Sequence, residues 1–261
     1  MERRYVDVCA AYNCKAKVYT KMAGNMKNID SPDLLVLFTG TMSHKMLRSV
    51  MQDTKGQSIT VARSRQSSVS ALKSILKPMP EELLVAQCAP TLAGLKTGSL
   101  FSCPGGTKAE ILKEVRRYNA MLINRGLRML PVKALKNRVL VYVYRPQRLQ
   151  NDLKDPLAQQ LLKSKGYPVN NAELCVVFLI KRLKYSADFP HEVGLFLGYP
   201  PADVAGFIKY GCAKAKQVGT WCVFGNVQAA TRQFEQFKRC VGAYQKAFQR
   251  HGCFERLLIR Q

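Results

Sequence analysis

Groups that can bind an anion follow two neighbouring predicted strands near the N-terminus. They lie after the apolar run 34–38 or at the end of the next strand: Thr39, Ser43, His44, Arg63 and Arg65. Ligands bind where a parallel strand ends and a helix begins, because the helix N–H groups point outward there. Arginines pair with phosphate. The pattern predicts an anion or nucleotide site, but the G-x-G-x-x-G fingerprint is absent. The alternative is that Ser43 only caps its helix and that the arginines are solvated.

A cysteine and a histidine form a second candidate site. Cys88 lies in a predicted helix beside Pro90, and His191 lies just before an apolar segment. A helical cysteine, with a histidine entering a later strand as general base, is typical of papain-like and NlpC-like thiol hydrolases. Such enzymes also need an oxyanion hole and a group that orients the histidine, for which Asn226 is a candidate. The alternative is that Cys88 is a core residue and that His191 and Glu192 fix a turn.

A metal site would have to gather distant residues, namely Cys212, Cys222, Cys240 and His191. Zinc sites usually contain close pairs such as C-x-x-C, because two ligands then come from one turn. The spacings of ten and eighteen residues between these cysteines lack that signature. Haem and iron–sulfur ligation meet the same objection. The sequence therefore predicts no metal site and leaves any cofactor unknown.

Alternating strands and helices carry the first candidate site. The continuous apolar run 34–38 predicts a strand buried on both faces, and residues 59–62 predict a second strand. Apolar residues at helical spacing follow each strand, and Ser67 or Ser68 caps the second helix. The order strand, helix, strand, helix implies a parallel right-handed crossover. With residues 16–20 as a further extended segment, residues 1–77 predict a partial Rossmann-like α/β domain with a small parallel sheet of three strands.

Two prolines close together, Pro78 and Pro80, mark the predicted domain boundary. Beyond them, residues 81–261 predict a helix-rich α+β domain with about six helices and three short strands, at 138–144, 193–197 and 219–224. The residues Cys103–Gly106 are expected to form a loop. The region 147–163 is expected to form one helix.

The composition restricts the class of protein and its partners. The 261 residues include 41 Lys+Arg and 17 Asp+Glu, which gives a net charge of +24 spread over both parts of the chain. A basic surface can bind nucleic acid through phosphates, although no nucleic-acid recognition motif is present. No apolar run reaches the length of a membrane span, and the first residues lack a secretory core, so we expect a cytoplasmic protein. Nine cysteines, without any C-x-x-C pair, are mostly expected to be buried and reduced.

Several separated motifs in the second part carry a family resemblance. They are the Pro-His-Glu and Leu-Gly-Tyr-Pro motifs within 189–200, the segments 88–96, 141–146 and 206–208, and Trp221 with Cys240. Residues 81–250 thereby resemble the bacterial domain of unknown function 3793 family. Residues 33–76 resemble a second bacterial family, domain of unknown function 2325, through the buried strand, the segment 39–44, and Arg63 with Ser67 and Ser68. Neither resemblance implies an activity.

The segment from His191 to Pro200 is predicted to be the most important surface of the second domain. Gly194 and Gly198 would leave one face of a strand bare and open to a ligand. His191 and Glu192 would stand at the mouth of this groove, with Tyr199 as a further ligand-binding residue. The sequence thus predicts an accessory protein that binds a small anion or nucleotide. Thiol hydrolysis and non-specific nucleic-acid binding are the alternatives.

Overall fold

Two parallel strands form the sheet of the N-terminal part in the computed structural model of the chain. Strand β1 (Leu34–Phe38) pairs with β2 (Thr60–Ser64), with Leu34 opposite Thr60 and Phe38 opposite Ser64. The connection between them contains helix α2 (His44–Asp53). The structure describes residues 2–11, 14–19, 32–54, 59–76, 79–104, 108–135, 138–186 and 188–259, so Lys77 and Pro78 of the predicted boundary lie outside it. The chain divides into two compact units, Met1–Pro80 and Glu81–Gln261.

Helices α1 (Glu2–Ala11) and α3 (Val69–Ile75) cover this sheet. The core between them contains Tyr5, Cys9 and Leu72, against which Phe38 of β1 packs. The ring of Tyr5 stacks on Phe38 with 5.3 Å between centroids, and its hydroxyl donates to the carbonyl of Ser67. This aromatic pair joins the first helix to the sheet, which confirms the predicted α/β class of the unit.

Two details of the predicted first unit are wrong. Residues 16–19 are not in a strand and Thr20 lies outside the described residues, so the described sheet has two strands instead of three. In β1 only Leu37 is fully buried, and its neighbours are partly exposed. A sheet of two strands offers little cover, so a continuous apolar run need not be buried on both faces.

An antiparallel sheet of three strands forms the centre of the second unit. Its order is β3 (Gly98–Pro104), β5 (Arg138–Tyr144) and β4 (Arg128–Leu135). The sequence predicts only β5, and the expectation that Cys103 and Pro104 belong to a loop is wrong. Both missed strands contain a proline, which sheets tolerate at edges, at strand ends and beside bulges. Pro104 ends an edge strand, and Pro131 lies at a β-bulge of the other edge strand.

Eight α-helices and a short hairpin surround this sheet within the described residues. Helices α6, α7, α8 and α9 pack with the sheet in one core, and α11 packs against α4. The elements are α4 (Glu81–Leu92), α5 (Lys108–Leu122), α6 (Pro146–Asp152), α7 (Pro156–Ser164), α8 (Ala172–Tyr185), α9 (Val193–Phe196), α10 (Pro201–Tyr210), β6 (Gln217–Val218), β7 (Cys222–Val223) and α11 (Val227–His251). The helix-rich α+β class is confirmed.

Two local predictions fail in this unit. The segment Val193–Phe196 is a helical turn and not a strand; all four residues are buried, and an apolar run buried all round has no period that distinguishes the two. The region 147–163 contains two helices, because Asp155 caps a new helix at Pro156. In the part of the chain that the structure describes, no helix has both the length and the apolar character to cross a bilayer.

Candidate functional site

A cavity of about 370 Å³ lies beside helix α4 in the second unit. Helices α4 and α11, the start of β3 and the turn after α9 supply its walls. We call it the Lys96 cavity, and it is lined by Gln87, Pro90, Lys96, Ser99, Leu100, Leu197, Tyr199, Thr220, Phe234, Phe237, Lys238 and Val241. It unites two of the resemblance motifs, the segment 88–96 and the Leu-Gly-Tyr-Pro motif.

The backbone at the end of α4 fixes the position of Lys96. Pro90 lies inside the helix, and its carbonyl accepts hydrogen bonds from the N–H groups of Leu95 and Lys96 at 2.8 and 3.0 Å. Gly94 adopts a φ of +73°, a left-handed conformation that favours glycine at a helix C-terminus. The chain therefore turns directly from α4 into β3 and places Lys96 between them.

Arg145 caps the C-terminus of α4. Its buried guanidinium donates to the carbonyls of Thr91 at 2.9 Å and Leu92 at 2.7 Å, and to that of Arg125 at 3.2 Å. Arg148 donates to the carbonyl of Gly94. The last carbonyls of a helix lack partners within it, so these guanidinium groups satisfy them. The Tyr-Arg-Pro motif at 144–146 thus has a structural role, which is to hold the wall of the cavity.

The Lys96 ammonium lies over the ring of Tyr199, with 5.1 Å between Nζ and the centroid. Burial lowers the pKa of Lys96 to about 8, while the nearby Cys88 acts in the opposite direction. Among the described residues Lys96 takes part in no ion pair, and the residues that line its cavity include Lys238 but no carboxylate. The cavity therefore carries excess positive charge.

Buried polar side chains lie next to the lysine. The hydroxyls of Ser99 and Thr91 are 2.9 Å apart, and both side chains are buried. The thiol of Cys88 contacts Ser99 and is fully buried, and this burial raises its pKa to about 12. A thiol in such surroundings is protonated at neutral pH, whereas a nucleophilic cysteine needs a lowered pKa. Cys88 lies behind the cavity and is not part of its lining.

An aromatic wall closes another side of the cavity. Tyr199 stacks on Trp221 with 4.9 Å between ring centroids, and Phe234 meets Trp221 edge-on at 4.5 Å. The buried carboxylate of Asp203 holds this wall. Its Oδ2 accepts from Nε1 of Trp221 at 2.7 Å, and its Oδ1 accepts from the backbone N–H groups of Phe224 and Gly225 at 2.8 and 2.7 Å.

The glycines of the 191–200 segment serve packing, which corrects the expectation of a bare strand face. Gly194 is buried, and a Cβ there would lie 2.8 Å from the side chain of Val204. Gly198 has a φ of +77°, and a Cβ there would meet the side chain of Thr97. Neighbouring side chains of the same unit fill the space beside both glycines, so the glycines leave no groove for a ligand.

His191 and Glu192 have different surroundings although they are adjacent. Glu192 is buried, and its Oε1 accepts from Nε of Arg182 at 2.7 Å and from the hydroxyl of Tyr167 at 3.0 Å. His191 is exposed, and its ring meets Phe207 edge-on at 5.0 Å. Both line a second cavity of about 480 Å³ together with Arg182, Lys165 and Asp188, and Cys88 is not among its lining residues. Neither cavity contains both members of the predicted catalytic pair.

Asn226, the candidate third group of that pair, caps a helix. Its side chain accepts from the N–H of Ala229 at 3.0 Å at the start of α11. This is the usual task of an asparagine at a helix N-terminus, because it satisfies an N–H that has no partner within the helix.

The predicted anion-binding residues of the first unit have local partners. The hydroxyl of Ser43 accepts from the N–H of Met46 at 3.2 Å, which is helix capping, and the N–H of Thr39 donates to the carbonyl of Ser64 at 2.7 Å. The guanidinium of Arg63 contacts the sulfur of Met51 at 3.2 Å, two turns along α2 from its start. His44 and Arg65 are exposed. The parallel register brings Thr39 and Arg65 to one sheet edge, but Arg63 points to the last turn of α2.

The cysteines differ from the expectation of reduced thiols at one place. Cys212 and Cys222 form a disulfide that links the end of α10 to β7. Cys9, Cys88 and Cys175 are buried free thiols, and Cys103 is also buried. In the described residues no group of three His, Cys, Asp or Glu side chains is placed to hold a metal ion.

Sequence reasoning missed the residues that define the Lys96 cavity. Lys96, Ser99 and Lys238 come from the turn after α4, from β3 and from α11, and their types and spacing match no known ligand-binding pattern. Asp203 was not predicted as a site residue either. The available signal was its position, as an acidic residue in the first turn of a predicted helix that lies between two motifs. Only Tyr199 was predicted as a ligand-binding residue and lines this cavity.

Comparison with protein families agrees with the resemblances found in the sequence. The model described as "Protein of unknown function (DUF3793)" matches residues 84–258. The chain belongs to this family. The model described as "Uncharacterized protein conserved in bacteria (DUF2325)" matches residues 1–79. The match extends beyond the predicted 33–76 and includes α1, which packs on the sheet. No curated protein and no solved structure matches the chain.

Proposed function

We propose that this member of the DUF3793 family is a binding protein for a small anion, and that the ligand occupies the Lys96 cavity. The observation that carries the proposal is the Lys96 ammonium, because the described residues that line its cavity include no carboxylate to neutralise it. A partly dehydrated cation with no counter-charge gains more from an anion than a hydrated surface lysine does. Lys238, on the facing helix, adds a second positive charge.

The remaining lining indicates the shape of the ligand. Aromatic and aliphatic side chains from Pro90, Leu197, Tyr199, Phe234 and Phe237 surround the two lysines. Small-molecule sites are mostly apolar with a few placed polar groups that fix orientation. We therefore expect an anionic group, carboxylate or phosphate, attached to a planar or apolar body. Aromatic acids and nucleoside monophosphates have this chemistry.

Thermal unfolding in the presence of defined anions tests the proposal. Benzoate, phenyl phosphate and AMP serve as probes, and benzamide is the uncharged counterpart of benzoate. A ligand at one hundred times its dissociation constant stabilises the folded state by about 2.7 kcal/mol, which raises the melting temperature. We expect at least one anion to raise it and benzamide to leave it unchanged.

The variant Lys96→Met assigns the effect to the cavity. Loss of a charge-assisted hydrogen bond, worth about 1.5–3 kcal/mol, should weaken binding about tenfold to a hundredfold. Lys113→Met is the matched control, because Lys113 is an exposed lysine on α5. Equal stabilisation of both variants by the same anion would place the ligand elsewhere. If none of the three anions shifts the wild-type protein, the proposal fails.

A further inference from the structure

We propose that Lys96 captures a small anionic carbonyl compound, an aldehyde acid or an α-keto acid, as an imine on its Nζ. This deepens the proposed function and rests on it, because the anionic group must first enter the same cavity. The proposal changes the role of the lysine from a counter-charge to a nucleophile, and it defines the substrate class by the group that reacts.

The geometry provides what a reactive lysine needs. An ammonium group is kept charged by carboxylates, and in the described part of the chain Lys96 has no ion pair. Its side chain instead lies over the Tyr199 ring, in a cavity that a small molecule can enter. A lysine that is desolvated in a largely apolar pocket has the arrangement that activates an amine for attack on a carbonyl.

A buried hydroxyl lines the same cavity as Lys96 and is available for proton exchange. The Nζ lone pair attacks the carbonyl carbon, the oxygen takes a proton, and the resulting carbinolamine loses this oxygen as water to leave a C=N bond. The amine and the carbonyl compound thus become an imine and one water molecule, without any oxidant or reductant. Ser99 lines the cavity, and its bond to Thr91 at 2.9 Å lets either hydroxyl donate, so the pair can pass a proton to the leaving oxygen.

Burial and the nearby Cys88 on α4 determine the titration of Lys96. The other titratable side chains among the described lining residues are Tyr199, in the turn after α9, and Lys238 on α11. Burial raises the pKa of both the Cys88 thiol and the Tyr199 phenol to about 12, so neither is negatively charged below pH 10. Burial lowers the pKa of Lys96 to about 8, so its neutral form is abundant at a pH where exposed lysines remain charged.

Reductive trapping tests the imine. The full-length protein is incubated with glyoxylate and cyanoborohydride between pH 6 and 10, and peptide mass spectrometry measures carboxymethylation at each lysine. Glyoxylate is chosen because it carries both an aldehyde and a carboxylate and is small enough to enter the cavity. We expect Lys96 to be labelled at least tenfold faster than Lys113 at pH 8, with a rate that levels off above about pH 8.

One variant and a competitor make the outcome specific. Ser99→Ala should slow labelling of Lys96 and leave that of Lys113 unchanged. The best anion of the thermal screen should protect Lys96 from glyoxylate in the wild-type protein, because both compounds enter the same cavity. Labelling of Lys96 no faster than that of Lys113 overturns the imine while leaving anion binding intact. Rapid labelling without any protection by the anions supports a reactive lysine and overturns the proposed binding function.

Discussion

Asp203 provides a sharp test of how the aromatic wall is held. Its two carboxylate oxygens have different partners: Oδ1 accepts from two backbone N–H groups, and Oδ2 accepts from the indole N–H of Trp221. In Asp203→Asn the carbonyl oxygen can keep the two backbone donors, so the amide N–H₂ must face the indole N–H. Two donors then meet in a buried site.

The size of the effect follows from these three bonds. Leaving one buried donor without a partner costs about 1–3 kcal/mol, and the two backbone bonds also lose their charge assistance. We therefore expect Asp203→Asn to lower the free energy of unfolding by about 2–4 kcal/mol. Trp221→Phe removes the indole N–H and some apolar area, so it is also destabilising on its own. In the double variant the indole N–H is absent, so the two donors no longer conflict. The stability losses of the two single variants should therefore add up to about 1–2 kcal/mol more than the loss of the double variant.

Chemical denaturation followed by circular dichroism measures all four proteins of this cycle. Trp221 is the only tryptophan of the chain, so its fluorescence reports unfolding of this site in the wild type and in Asp203→Asn. Asp203→Glu serves as a control that keeps the charge but displaces it by one methylene. Strictly additive losses from the two single variants would show that the carboxylate and the indole do not interact, and would refute the account of the wall.

Three further predictions concern the same unit. Lys96→Met should be more stable than the wild type at pH 7, because the pKa of Lys96 is about 8 in the folded protein and near 10.5 in the unfolded chain. Between these two values the unfolded chain binds more protons than the folded protein, so the stability of the wild type rises with pH. The difference in denaturation midpoint between the two proteins should therefore disappear by pH 10.5. Arg145→Lys should lower the free energy of unfolding by about 2–4 kcal/mol, because one ammonium cannot reach three carbonyls; a loss below 0.5 kcal/mol in urea denaturation would contradict the capping role. His191→Ala should cost less than about 1 kcal/mol, since the imidazole is exposed and packs against the rings of Phe189 and Phe207 without a hydrogen bond among the described residues; thermal unfolding of the variant checks this, and a larger loss would make the residue structural.

The sequence predicted the elements whose signals are local. Ser43 and Ser68 cap their helices as expected, and the alternating residues 138–144 form the central strand. The edge strands β3 and β4 were not predicted because Pro104 and Pro131 contradict a strand pattern. Prolines are acceptable there only because the strands lie at sheet edges and Pro131 lies at a bulge. The prediction of a strand at 193–196 was wrong because four consecutive buried residues show no hydrophobic period that separates a strand from a helix. In these cases tertiary packing, and not local preference, decides the structure.

The candidate site was harder to predict than the fold. Resemblance motifs directed attention to His191 and Cys88, which the structure places in separate surroundings. The same motifs are explained by packing: Arg145 caps α4, Glu192 pairs with Arg182, and Gly194 lies against Val204. Lys96 is one of many lysines in a basic sequence. What distinguishes it is partial burial without a carboxylate partner among the described residues, and this property arises only when α4, β3 and α11 come together.

The crystal structure of the protein with the tightest anion of the thermal screen tests the central claim most directly. The account predicts that the carboxylate or phosphate of the ligand lies within ion-pair distance of Nζ of Lys96, with its apolar body against Tyr199. Density for the ligand at Thr39, Ser43 and Arg65 at the start of α2, with an empty Lys96 cavity, would contradict the account.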